Sequence, residues 1–267
     1  VVLSMFFSLT IFNMIEAPQF VGIDNYLRLF LDDDIFIIAV KNTFIFAVIT
    51  GPVSYFLSLF TAWFINELPP KIRAVITLIF YAPSLSSGMT FIWKVIFDGD
   101  TYGYANSILL SLDIIQTPIQ FFQNETWIMP LCIIVALWTS LGVSFLSFIG
   151  GLQTIPKDQY EAAAVDGIKN RWQELWYVTL PNMKQQLLFG AVMSIVNAFN
   201  MGWIGVQLAG ANPTPGYSGQ LIANHIDDYA FVRYEMGYAA AVSVALLCLV
   251  WVCSKVANTL FTEKEEY

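Results

Sequence analysis

The sequence predicts an all-α polytopic membrane bundle, and three observations predict it. Apolar residues fill 57% of the 267 positions against 12% charged, and mean hydropathy is +0.63, beyond what a water-soluble domain shows. Those residues fall in runs of the length a bilayer demands, since a hydrocarbon core of roughly 30 Å takes about 20 residues of helix. Basic residues collect in alternate connecting segments, as in a chain that threads the membrane repeatedly.

Six spans follow, in order: Val1 to Ile15, Ile35 to Asn66, Ile72 to Phe97, Trp127 to Leu152, Lys184 to Ala209 and Tyr234 to Leu260. The first is short, as expected if the chain opens partway through a membrane helix; a signal peptide is the weaker reading, because no small-residue cleavage site follows. The second is long enough to tilt or protrude. In the third, Pro83 and Gly88 predict a kink. Lys71 and Arg73, then Lys157, Lys169, Arg171 and Lys184, then Lys255 and Lys264 mark the cytoplasmic connections. The segments at about 16–34, 98–126 and 210–233 are acidic and are assigned to the outside. Lys41 and Lys94 sit near outer helix ends, where a long side chain reaches the headgroups. The whole chain, 1–267, reads as one transmembrane domain.

Several function classes fall away. A net charge of −8 with no basic stripe argues against nucleic acid. Cys132, Cys248 and Cys253 lie in apolar runs without metal-ligand spacing and read as buried small hydrophobes; no catalytic or metal-binding set is present in the sequence. No ionisable residue lies near the centre of a span, which weakens a proton relay. No phosphate-cradling G-x-x-x-x-G-K-[ST] loop occurs either. Concentrating a solute a thousandfold costs about 4 kcal/mol, so a transporter built on this chain must receive energy from a partner.

The contact for such a partner is expected in the polar connection at about 153–183. In "DQYEAAAVDG", Asp158 and Glu161 have capping-box spacing and Gly167 suits a left-handed stop. In "NRWQELWYVTLP", Asn170 and Gln173 repeat the cap, Trp172, Leu175, Trp176 and Thr179 share one helical face, and Pro181 closes the helix. The prediction is helix, glycine turn, helix. A well-capped loop with no further role is the plain alternative.

These residues carry a resemblance. "EAA", three residues, "G", a spacer and "VTLP" resemble the EAA signature, EAA-x3-G-x9-I-x-L-P, of the permease subunits of binding-protein-dependent ABC importers. "FVGIDNYLRLF", "NTFIFAV", "YAPSLSSGMTFIWKVIFDG" and "GYAAAVSVALL" look like the carbohydrate branch, related to maltose and multiple-sugar permeases, so the resemblance covers nearly the whole chain. It departs in two places: Val178 replaces Ile, and ten residues rather than nine separate it from Gly167, which predicts a second helix rotated or extended by one residue.

The resemblance implies that Glu161, Ala162, Ala163, Asp166, Gly167, Leu180 and Pro181 form coupling helices docked on a cytoplasmic ATPase. It also implies a second homologous permease subunit, two ATPase subunits carrying ATP and Mg, an extracytoplasmic solute-binding protein and a carbohydrate cargo, an oligosaccharide by preference. The chain itself needs no cofactor, and its place is the plasma (inner) membrane of a bacterium or archaeon.

Sugar sites pair polar groups with aromatic faces. Asn197 and Asn200, one turn apart beside Phe199 and Trp203, and Trp138 with Thr139, are candidates for the substrate pathway, with interhelical packing the competing reading. Ser140, Ser144 and Ser147 read as packing residues. "GANPTPGYSG" reads as an external turn-rich loop that, by resemblance, meets the binding protein, and His225 beyond it as an ordinary surface residue. Two other readings remain. A phosphorylated polyol would favour a base at the site, and an ion-driven secondary carrier would work without ATP.

Overall fold

The computed structural model describes residues 1–261; Lys264, one of the bases used to orient the chain, lies outside them. The elements in order are α1 (Val2–Phe7), β1 (Thr10–Ile11), β2 (Gln19–Phe20), α2 (Asp24–Leu31), α3 (Asp34–Asn66), α4 (Pro70–Tyr81), α5 (Thr90–Ile96), α6 (Tyr104–Ser111), α7 (Glu125–Thr139) and α8 (Val143–Thr154). Then come α9 (Lys157–Val165), α10 (Arg171–Glu174), α11 (Leu180–Asn182), α12 (Lys184–Asn200), α13 (Trp203–Ala209), α14 (Ile222–Asp227) and α15 (Met236–Phe261). Among the described residues, three helical segments are long and apolar enough to cross a membrane: Asp34–Asn66, Glu125–Thr154 and Met236–Thr259. Counting Pro70–Leu85 with Thr90–Ile96, and Lys184–Asn200 with Trp203–Ala209, as bent spans makes five.

The expected first span, Val1 to Ile15, is not one helix. The chain leaves the helix after Phe7 and turns into a two-stranded antiparallel hairpin in which Thr10 faces Phe20. The reason lies in its polar residues. Ser8 Oγ donates to Met5 O at 2.8 Å, Thr10 Oγ1 donates to Phe7 O at 2.9 Å, and Asn13 Oδ1 accepts from the N–H groups of Ile15 and Glu16. Such local bonds compete with the helical ladder. Asn25 then reaches across from α2, its Nδ2 donating to Ser8 O and Thr10 O, both at 2.9 Å.

The chain divides into two compact units. Unit 1 holds Val1–Thr50, Ser87–Ala136 and Ala198–Val252, and includes the three segments expected outside. Its core gathers Phe46, Ile128, Cys132, Val135, Ile204, Leu208 and Leu221. Lipid is as apolar as leucine, so close packing and polar bonds, rather than burial from water, must hold such a bundle together. The polar bonds are there. Asn42 Nδ2 on α3 donates to Tyr217 O at 2.8 Å and Gln220 O at 3.1 Å, and Thr43 Oγ1 accepts from Ile222 N–H at 2.9 Å. The turn-rich loop is therefore folded inward, with Thr214 and Gln220 buried.

Unit 2 holds Gly51–Ser86, Leu137–Asn197 and the chain from Cys253 onward. Tyr55, Leu59, Ala62 and Trp63 of α3 meet Phe145, Phe148, Ile149 and Leu152 of α8, each set at the i, i+3 or i+4 spacing of one helical face. Tyr55 and Phe148 pack edge to face with centroids 5.5 Å apart. Ser144 Oγ donates to Gly190 O, which is the packing role expected of it. At the expected kink α4 gives way to a tighter turn, Ala82–Leu85, that contains Pro83.

The cysteines divide. Cys132 is a buried core residue, but Cys253 is half-buried and Cys248 lies on the outer face of α15, so neither of these is the buried hydrophobe expected. The i+3 and i+4 spacing that builds the core leaves every long apolar helix with a second, outward apolar face, and Cys248 falls on it.

Between α12 and α13 the helix bends by 42° at Met201–Gly202. A Cβ on Gly202 would lie 2.2 Å from Asn224 Oδ1, 2.8 Å from Ala223 Cβ and 2.9 Å from the backbone nitrogen of Asn224. Only glycine lets α14 approach this closely. Gly202→Ala must push α14 away, at about 1–3 kcal/mol. The thermal midpoint in detergent is expected to fall by roughly 5 °C; an unchanged midpoint would show that α14 has room to give.

Candidate functional site

The first candidate site is the connection between α8 and α12, wholly within unit 2. Helix α9 begins directly after Pro156, which follows an extended Ile155 as a residue before proline should be. Starting at Lys157 places Asp158 inside the first turn, so the expected Asp158 cap does not form. Its charge still favours the helix N-terminus. The helix ends as expected. Ile168 N–H donates to Ala163 O at 3.0 Å and Gly167 N–H to Ala164 O at 3.3 Å, the paired bonds of a Schellman stop, with Gly167 at φ +96°.

The second helix starts on the expected cap. Asn170 Oδ1 accepts from Gln173 N–H and Gln173 Oε1 accepts from Lys169 N–H, both at 2.9 Å. Beyond α10 the backbone widens into a π turn over Leu175–Thr179 and continues into α11. Pro181 therefore does not close the helix as expected. It sits inside the helical path, where its missing N–H and its ring are accommodated by the preceding wide turn. Asn182 Nδ2 takes up the Val178 carbonyl at 2.7 Å. One extra residue per turn is what a π turn holds, and it stands where the Gly167–Val178 spacing runs one residue long.

The π turn also splits the expected apolar face. Leu175 and Thr179 are buried with Val178, whereas Trp172 and Trp176 are exposed. Trp172 leans on Trp63, centroids 5.2 Å apart, and Tyr160 Oη lies 3.1 Å from Thr179 Oγ1, which ties α9 to the π turn. Arg171 pairs with Glu67 at 2.7 Å on the surface. Of the expected contact residues, Glu161, Ala162, Asp166, Gly167 and Pro181 are exposed, Leu180 is half-buried and Ala163 packs inward. Beside them Val165 is 88%, Trp176 64% and Tyr177 72% exposed. A polar connection that leaves three large apolar side chains uncovered has the composition of a docking surface.

The pathway candidates are spread over both units. In unit 2, Asn197 and Trp138 are half-buried and Thr139 is buried. In unit 1, Phe199 is buried, Trp203 packs on the core and Asn200, the last residue before the bend, is exposed. Surface is thus left on Asn197, Asn200, Trp138 and Trp203, while Phe199 and Thr139 are core side chains.

His225 is not a surface residue. It is fully buried in unit 1, its Nε2 3.0 Å from Asp33 Oδ2. Tyr238 Oη donates to the same oxygen at 2.6 Å, and Asp33 Oδ1 caps α3 by accepting from Phe36 N–H at 2.9 Å. Burial alone would raise the Asp33 pKa, but the bonds from His225, Tyr238 and Phe36 outweigh it and hold the carboxyl well below its ordinary range. Above this knot Arg28 pairs with Glu235 and lies over the Tyr238 ring, and Arg233 lies over Tyr229. An aspartate just ahead of a long apolar run was the available signal for the cap; nothing local announced its histidine partner 192 residues away.

Comparison with known proteins agrees with this architecture. A family model described as "binding-protein-dependent transport system inner membrane component" matches residues 5–262. The probable ABC transporter permease protein YesP of Bacillus subtilis is 31% identical over 92% of this chain and 79% of its own length. The arabinooligosaccharides transport system permease protein AraP of the same organism is 31% identical over 91% and 76%. A bacterial ABC transporter involved in the import of the acidic polysaccharide alginate shares the fold, with TM-score 0.76 and 22% identity over 91% of this chain and 84% of that one. The chain therefore belongs to the inner membrane components of binding-protein-dependent transport systems, multi-pass permease subunits that carry solute rather than catalyse a reaction.

Proposed function

We propose that this chain is the permease subunit of an ATP-driven importer for a carbohydrate, an oligosaccharide by preference. A second permease subunit, two cytoplasmic ATPase subunits that bind ATP and Mg, and an extracytoplasmic binding protein complete the assembly. The observation that carries the reading is the 157–183 elbow: a glycine-stopped helix joined to a second helix, with Glu161, Ala162, Val165, Trp176 and Tyr177 uncovered. Closure of the ATPase pair would push on this elbow and, through Leu175, Val178 and Met183 in the unit 2 core, on the membrane helices. The carbohydrate cargo rests on the arabinooligosaccharide and lactose permeases among the relatives and on the surface that Asn200 and Trp203 keep within unit 1.

The test is co-expression with the neighbouring transporter genes, purification of the complex, and ATPase measurement with binding protein and a carbohydrate panel. A neutral oligosaccharide is expected to stimulate hydrolysis severalfold, and Glu161→Lys to abolish the stimulation while leaving the complex in the membrane. Stimulation by an ion gradient alone, or by a phosphorylated polyol and no sugar, would contradict the reading.

A further inference from the structure

Unit 1 contains a cleft of about 370 Å³ between α5, the 98–123 segment and α13. Six of its lining side chains bear on chemistry: Phe91, Lys94, Asp98, Gln120, Phe122 and Gln123. We propose that this cleft is a vestibule subsite for one uncharged sugar unit of the cargo; the proposal rests on the carbohydrate reading above and adds where, and in which charge class, the sugar is first held.

The polar groups are of the kind that bind hydroxyls, and two are fixed in advance. Gln120 Nε2 donates to Gly99 O at 2.9 Å and Gln123 Nε2 to Ala209 O at 3.3 Å. Each amide is thereby held by one bond in advance, so less ordering remains to be done on binding. Lys94 is half-buried on α5 and, among the described residues, has no carboxylate within ion-pair distance. The Asp98 carboxylate, among the described residues, accepts one long bond, 3.4 Å, from Asp100 N–H. A donor and an acceptor of full charge thus line the same cleft without being spent on each other. Phe91, 67% exposed, and Phe122 supply the apolar faces against which the C–H side of a sugar ring packs. The volume lies at the lower end of the range for ligand sites, which suits a ring or two rather than a long chain.

The charge class follows from the balance of signs. Lys94 and Asp98 cancel within the cleft, and the surrounding segment 98–126 carries Asp98, Asp100, Asp113 and Glu125 with no base. A uronate or a phosphosugar entering here meets a net negative field, whereas a hydroxyl-rich neutral sugar meets donors and acceptors without that penalty.

Saturation-transfer NMR on the whole complex in nanodiscs tests this, with lactose and arabinotriose as neutral probes and trigalacturonate as the acidic one. Neutral probes are expected to receive saturation from the native complex, and Phe91→Ala or Lys94→Met to weaken their binding about fivefold. Removing the negative charge by Asp98→Asn should improve trigalacturonate binding about tenfold. Phe91 is exposed, so its loss leaves the fold intact. Neutral binding unchanged in Phe91→Ala and Lys94→Met, or a native preference for trigalacturonate, overturns the proposal. No binding of any probe while a carbohydrate still stimulates the ATPase overturns the subsite and leaves the proposed function standing. An ATPase that no carbohydrate stimulates removes both.

Discussion

Gly167→Val is expected to cut ATP-driven uptake about tenfold or more while the protein still inserts and assembles. The substitution meets no steric obstacle, because nothing lies within 4 Å of the Cβ it would add. What it meets is the backbone. At φ +96° an L-residue is strained, and a β-branched one most of all, by about 1–2 kcal/mol or more. The cheapest relief is to give up the left-handed stop, releasing the bonds from Ile168 N–H to Ala163 O and from Gly167 N–H to Ala164 O that set the angle between the two short helices. The elbow then stays attached but points elsewhere. Asparagine enters the left-handed region more easily, so Gly167→Asn should retain more uptake than Gly167→Val. Membrane content by immunoblot and uptake of labelled sugar are the two readouts. Equal uptake by all three proteins, at equal membrane content, would remove Gly167 from the coupling mechanism.

Asp33→Ala should lower stability by about 3 kcal/mol at neutral pH, because it strands partners instead of removing a pair cleanly. His225, fully buried, loses the partner of its Nε2, Tyr238 Oη loses its acceptor, and Phe36 N–H loses the cap of α3. In detergent the thermal midpoint should fall by roughly 10 °C. The pH dependence has a definite sign. A carboxyl held below its ordinary value in the folded state stabilises the fold above an unfolded pKa of about 3.9, and that contribution is lost as pH falls toward the folded value. The native protein and Asp33→Ala should therefore differ most near pH 7 and converge as the pH drops below about 4. A constant gap across that range would show that the knot acts through packing alone, without the carboxylate charge.

Much of this was legible in the sequence where the determinants are local. The long α3, the Gly167 stop and the Asn170–Gln173 cap each depend on residues within a few positions of one another, and all three stand where composition and spacing put them. Two of the failures have the opposite property, with partners far away in the sequence. Val1–Ile15 reads as membrane helix by hydropathy, but Asn25 holds Ser8 and Thr10 from 17 and 15 residues away, where the chain turns into a hairpin. His225 reads as a loop histidine because its partner, Asp33, is at the other end of the chain. Pro181 reads as a terminator, and the rule fails because a π turn ahead of it makes room. Asp158 reads as a cap because the pattern does not register that Pro156 already starts the helix. In the pathway candidates the sequence finds the polar and aromatic types but not their burial, which turns Phe199 and Thr139 inward.

Coupling requires the elbow to be gripped by an ATPase, and disulfide trapping tests that directly. With Cys132, Cys248 and Cys253 replaced by serine or alanine, a single cysteine is placed at Val165, which is 88% exposed beside Glu161 and Ala162. Paired with cysteines along the cleft of the co-purified ATPase subunit, Val165→Cys should form a cross-linked heterodimer whose yield changes when ATP is added. A Val165→Cys protein that forms no adduct and reacts with maleimide at the same rate with and without the ATPase would contradict the account.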